Sequence, residues 1–249
     1  MLITSTEGTQ IIEGFIEFGS DGDAVAFGRR ALPAIEAALA ESGCVDYAMG
    51  LDFIDPRKVR TYQNWASAES RIAHTGQAQA RSLAAATAEL GASRVEITRY
   101  SPLVGMSGLT LHSEESESRA ASGPPPSAGP NLEKMLQLVQ VFMRFDSDAD
   151  VERHIAYAQE PVLRTREEPG AVEYSWWRDF RNPLTVRLTE LWRDQATMFA
   201  HVQADHAKAH VEYLKGFDTG PVGDGEERQG AVFFFLEPHQ QHGLGVDGL

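Results

Sequence analysis

The chain has one cysteine, Cys44, in 249 residues. No internal disulfide can form, which suits a reducing compartment. Basic residues are also few: 22 Lys and Arg against 36 Asp and Glu give a formal net charge of −14. That is the wrong sign for a nucleic-acid backbone or an anionic membrane surface. No apolar run approaches the roughly 20 residues of a membrane-spanning helix. The opening MLITSTEGTQ lacks the basic and apolar stretches of a secretion signal. Dinucleotide glycine fingerprints and phosphate loops are missing as well. These absences point to a cytoplasmic protein with neither nucleic acid nor membrane as a partner. At 42% hydrophobic residues, the chain can pack a core without covalent staples.

The chain contains an internal repeat. Displaced by 127 positions (43 to 170), GCVDYAMGLDFIDPRKVRTYQNWASAESRIAH falls without a gap on GAVEYSWWRDFRNPLTVRLTELWRDQATMFAH. Gly43, Val45, Tyr47, Asp52, Phe53, Pro56, Val59, Arg60, Trp65, Ala73 and His74 recur as Gly170, Val172, Tyr174, Asp179, Phe180, Pro183, Val186, Arg187, Trp192, Ala200 and His201. A period of that length indicates a duplicated domain rather than a solenoid. Between the copies lies SEESESRAASGPPPSAGPN, a Ser/Glu/Gly/Pro-rich stretch with almost no large apolar residue. Such a composition reads as a linker. The expected organisation is residues 1–112, a linker at 113–131, and residues 132–249 ending in a frayed tail.

Each half alternates strand and helix patterns in the same order. IIEGFIEFG (11–19) and LQLVQVFMRF (136–145) read as strands. A helix follows over 24–42, with Asp23 as its N-cap, and its copy starts near Asp148. Two strands flank an Asp-Pro or Asn-Pro turn, then come a helical region carrying the His and a last strand at 93–101 or 230–238. The order β-α-β-β-α-β predicts an α+β fold of two ferredoxin-like units.

Gly-x-x-x-Tyr in a strand, a Pro turn, and a Trp with a His nine residues on, all inside such a unit, resemble the antibiotic biosynthesis monooxygenase (ABM) family of the dimeric α/β barrel superfamily. The resemblance covers both halves and implies that they pair as an intramolecular barrel, a pseudo-dimer compatible with further homo-oligomerisation. It implies a monooxygenase that needs no cofactor and joins O2 to an electron-rich aromatic: a quinol, phenol or polyketide-like molecule. The other activity class it implies is a non-catalytic barrel that binds a small aromatic or haem. Family oxygenases carry an Asn four residues before the strand Trp; Thr61 and Leu188 stand there instead. No Asn stands in the first strands, where the haem degraders place one.

On that reading His201 is the base and His74 its first-half counterpart. Arg181 or Trp192 partners the anion. Trp177 and Tyr174 form walls, and Trp65 and Tyr62 add to them from the first half. Trp176, Trp177, Arg178 and Arg181, where the first half has Met49, Gly50, Leu51 and Ile54, favour the second half as the working pocket. HVQADHAKAH (201–210) carries His206 and His210 one helical turn apart, but the Glu of a zinc-protease helix is missing and Lys208 lies between them. A solvated helix face without metal is the expectation there.

Overall fold

The computed structural model describes residues 2–4, 8–109, 132–217, 229–236 and 242–243. The linker at 113–131 and most of the tail lie outside them. The described strands, in chain order, are β1 (Leu2–Thr4), β2 (Gln10–Glu17), β3 (Cys44–Asp52), β4 (Lys58–Trp65), β5 (Arg94–Tyr100), β6 (Pro102–Leu109), β7 (Leu136–Arg144), β8 (Ala171–Asp179), β9 (Thr185–Trp192), β10 (Gln229–Leu236) and β11 (His242–Gly243). The described helices are α1 (Asp21–Leu39), α2 (Ala68–Thr75), α3 (Ala78–Glu89), α4 (Asp148–Arg166), α5 (Gln195–Gln203) and α6 (Asp205–Leu214). No helix among the described residues is long and apolar enough to cross a membrane.

The fold is α+β, with two β-α-β-β-α-β repeats. The first repeat orders its strands β5-β2-β4-β3 and the second β10-β7-β9-β8, the same ferredoxin-like order with the first and third strands central. Local chemistry recurs at the repeat period. Ser20 and Ser147 cap α1 and α4 through the amides of Asp23 and Asp150, each at 3.2 Å. The sequence places the cap of α1 three residues later, at Asp23. Ser20 wins because its extended backbone aims the hydroxyl at the first-turn amides. Asp52 and Asp179 fold the Pro-containing turns by accepting the second following amide, each at 2.8 Å. The helical region after Trp65 or Trp192 is two helices rather than one. They break around Gly76 in the first repeat and at Ala204, whose ψ of 143° is extended, in the second.

Packing divides the chain into two compact units, and neither coincides with a repeat. One holds residues 8–103 together with 177–183 and β11. In it, Trp177, Arg178 and Asp179 pair antiparallel with Asp52, Leu51 and Gly50 along the edge of β3. Phe180 packs on the core of Ile12, Ile16, Phe27, Ile35, Met49 and Trp65 under α1 and α3. Its ring lies over Gly28, where a Cβ would come within 2.5 Å of it. β11 pairs with β5, so two residues of the expected frayed tail are strand. The other unit holds β7, α4, the start of β8, β9, α5, α6 and β10, with residues 104–109 of β6 beside β10 and β1 beside β6.

Two glycines are required where the chain turns into the second strand of each repeat. Gly43 and Gly170 have φ of 83° and 93°, a region costly for any residue with a Cβ. A Cβ there would lie 2.6 Å from Ser70 Cβ or 2.5 Å from Thr197 Cγ2. Gly43→Ala and Gly170→Ala are therefore each expected to destabilise by more than ~1 kcal/mol. Urea denaturation of the two variants checks this, and unchanged midpoints would contradict it.

Candidate functional site

The repeated Trp-to-His frame folds into the same buried cluster twice. In the first repeat, Trp65 ends β4, Ser67 caps α2 through the amide of Ser70, and His74 falls in the last turn of α2. The imidazole lies tilted, with its centroid 4.7 Å from the Trp65 ring and 5.3 Å from Tyr47. Its Nδ1 lies 2.7 Å from Glu41 Oε1. Glu41 also accepts from the Gln79 amide, and Trp65 Nε1 donates to Gln63 at 2.9 Å. In the second repeat, His201 lies 4.8 Å from Trp192 and 5.2 Å from Tyr174. Its Nδ1 is 3.1 Å from Glu168, and Trp192 donates to Glu190 at 2.8 Å. Burial raises the Glu190 carboxyl above the usual range, opposed by His201 and by the Trp192 hydrogen bond.

Tyr174, Trp192 and His201 are thus brought together, as are Trp65 and His74. Tyr62 lies between Thr61 and Gln63 on β4, so its side chain faces the other side of the sheet. Trp177 is fully buried and groups with Arg181 in the compact unit of the first repeat, while His201 belongs to the other unit. Arg181 is exposed. Cys44 is a poor nucleophile: burial, with Asp46 and Glu41 nearby, pushes its thiol up to about 12.

Sequence reasoning missed the glutamates. Glu41 and Glu168 are one repeat apart and sit just before the aligned window. It also missed a set of buried polar atoms in the first repeat that have no hydrogen-bond partner: Tyr47 Oη, Thr61 Oγ1, His74 Nε2, Arg71 Nε and Arg99 Nε. Tyr47, Gln63, Ile12 and Arg99 are successive cross-strand neighbours over β3, β4, β2 and β5. They lie on the helix-facing side, which Ile12, Ile97 and Tyr47 define by packing into the core. Arg71 lies three residues before His74, on the same helix face. Its guanidinium is held below its ordinary range by burial and by the charge of Arg99. At the equivalent places of Thr61 and Arg71 the second repeat has Leu188 and Met198, both buried.

The second repeat differs in another way. His206 and His210 do not form a solvated face. Both turn inward, because i and i+4 share a face and that face is the packed one. His206 Nε2 lies 2.7 Å from Glu168. The His210 ring lies 5.3 Å from His154 and 5.6 Å from Trp176. The first repeat has Leu83, Phe27 and Met49 in their places, all buried.

The family model "Antibiotic biosynthesis monooxygenase" matches residues 137–213. No curated protein matches the chain. Among solved structures, the chain is similar to a provisionally assigned monooxygenase from Lactobacillus acidophilus, at 14% identity and TM-score 0.38, over 95% of this chain and 99% of that one. A second provisionally assigned monooxygenase, from Fusobacterium nucleatum, is 11% identical at TM-score 0.38 over 95% and 94%. An anthrone oxidase-like protein is 11% identical at TM-score 0.38 over 97% and 96%.

The paired histidines set a pH dependence. Burial is the main cause that holds His154 well below 6.5 and His210 at about 4, with His201 and His206 adding to the shift at His210. Folded pKa values below unfolded ones mean that the unfolded chain takes up more protons between about pH 6.5 and 4. Stability is therefore full above 6.5 and falls as the pH falls through that window. For His210 alone the loss between pH 7 and 5 is about 2 kcal/mol. Replacing the pair by the first repeat's residues, His154→Phe with His210→Leu, should flatten the midpoint-against-pH curve in urea. An unchanged slope would show that other groups set it.

Proposed function

We propose that this chain, whose second repeat belongs to the antibiotic biosynthesis monooxygenase family, is a cofactor-independent monooxygenase of an electron-rich phenol, quinol or polyketide-like aromatic, and that its first repeat holds the reacting site. The observation that carries this reading is the group of unpartnered buried polar atoms on Tyr47, Thr61, Arg71, His74 and Arg99. Buried polar groups ordinarily find partners. Five atoms without one, on one side of one sheet and its covering helix, suit a bound polar molecule.

The chemistry follows from the proton positions. A carboxylate can only accept, so Glu41 accepts from Nδ1–H of His74. In the neutral ring Nε2 then carries a bare lone pair, and it is the atom left without a partner. His74 can therefore take a phenolic proton, with Glu41 steadying the imidazolium that forms. Arg71 and Arg99 repel one another, and an aromatic oxyanion between them would relieve the repulsion while accepting from both Nε–H groups. The electron-rich anion can then reduce O2. One oxygen atom adds to a ring carbon as a carbonyl; the other leaves as water with the ring and phenolic hydrogens. With His74 only 1% exposed, the reaction would be shielded from bulk water. His201, Trp192 and Tyr174 keep the same frame, but their repeat has Leu188 and Met198 where the first offers Thr61 and Arg71.

Oxygen uptake with quinols, naphthols and anthrones tests this. One O2 should disappear per substrate oxidised. His74→Ala should lose on the order of 10²–10⁴-fold in kcat, while His201→Ala, corrected for any stability loss, should stay within a fewfold of wild type. The reverse ranking would move the site to the second repeat. Tight binding of an aromatic or of haemin without oxygen uptake would make the protein a binding module.

A further inference from the structure

We infer that Glu168, His201 and His206 form a site for one divalent first-row transition ion of the Zn²⁺ type, and that the first repeat has no such site. The inference is independent of the oxygenase reading, which rests on other residues. One ligand atom from each of Glu168, His201 and His206 lies within 4.8 Å of the other two, with His201 Nδ1 3.1 Å and His206 Nε2 2.7 Å from the Glu168 carboxylate. All three side chains are largely withdrawn from water, at 17%, 6% and 8% exposure. Two imidazoles and a carboxylate are the donor set that borderline ions of this series select, and three protein ligands leave a position for water or another small ligand.

The backbone brings these donors together from three elements. Glu168 follows the C-cap of α4, His201 is in the last turn of α5, and His206 is in the first turn of α6. The extended Ala204 between the two helices turns the chain so that both rings reach the same carboxylate, with their centroids 5.7 Å apart. Thr165 Oγ1 lies 3.2 Å from His206 Nε2 and donates to the carbonyl of Pro161 at 2.8 Å. His206 is thus held on the Glu168 side by a second oxygen.

The first repeat is a built-in control. Glu41 and His74 repeat the Glu168–His201 pair, and Gln79 stands one period before His206, donating its amide to Glu41. A glutamine amide fills the hydrogen-bonding place of the imidazole but is a poor ligand for such an ion. The single exchange of Gln for His thus turns a hydrogen-bonded trio into a metal-binding one. Because the first repeat packs with Gln at this place, the second should tolerate the same residue.

The test uses the full, untagged chain, stripped with a chelator and titrated with Zn²⁺, with Co²⁺ absorption as a second probe of nitrogen and oxygen ligation. Wild type should take up one Zn²⁺ per chain and melt at a higher temperature in Zn²⁺ than in chelator. His206→Gln should stay folded, lose at least tenfold in Zn²⁺ affinity and lose the Zn²⁺-dependent shift in melting. Gln79→His should raise the stoichiometry to two. Wild type that binds no Zn²⁺ above background overturns the site, as does His206→Gln binding as tightly as wild type. A stoichiometry still at one in Gln79→His overturns the claim that this position decides between the repeats.

Discussion

A partly buried glutamate holding a buried histidine is the interaction on which each repeat is organised. A carboxylate and an imidazole are both costly to remove from water, and pairing them offsets that cost only while the geometry is kept. Glu41 comes from the end of α1, His74 from α2, and Trp65 and Tyr47 from two neighbouring strands, and their rings are in contact. Glu168, His201, Trp192 and Tyr174 repeat the arrangement. The Trp and the His nine residues later are the visible part of this lock. The strand must end at the Trp, a cap must start the helix two residues on, and the imidazole must arrive in the last turn, over the indole. A shift by one residue would take the ring off both the carboxylate and the Trp.

With that lock kept in duplicate, the surroundings can diverge. The first repeat keeps Thr61, Arg71 and Arg99 on the helix-facing side of its sheet, with polar atoms lacking partners. The second places buried Leu188 and Met198 at two of those positions and is apolar there, yet it puts His154, Trp176 and His210 where the first has Phe27, Met49 and Leu83. The polar character has thus moved from under one set of helices to another. The copies share a skeleton and differ in which part of their interior a polar or charged guest would find hospitable.

The architecture was legible because periodicity and turn chemistry act locally. Alternating strands and Pro-containing turns recur 127 residues apart, and the expected strands and first helices lie within a few residues of their expected bounds; the Ser20 cap, the break in each second helical region and strands β1, β6 and β11 were not read from the sequence. The site was legible only in part. Trp65, Trp192, His74 and His201 stand out by repetition; Glu41 and Glu168 do so equally, but two residues upstream of the window, across the turn at Gly43 or Gly170. Arg99 had no such signal, since its place is set by register across four strands. Trp177 and Arg181 looked like pocket residues by composition. Their position is decided instead by the edge of β3, a tertiary pairing that no local pattern announces.

That edge has a consequence for how the chain comes off the ribosome. The first repeat's α-helical groove at Gly28 and the open edge at Gly50 are covered by residues 177–183, which are made 74 residues after Leu103 (177 − 103). At ordinary elongation speeds that is a wait of roughly 4–15 s. Throughout it the nascent first repeat presents an unpaired strand, the kind of edge on which chains associate wrongly. Duplication of the domain thus made the maturation of its first copy depend on the timing of the second, and synonymous codons between the two become a physical variable of the fold.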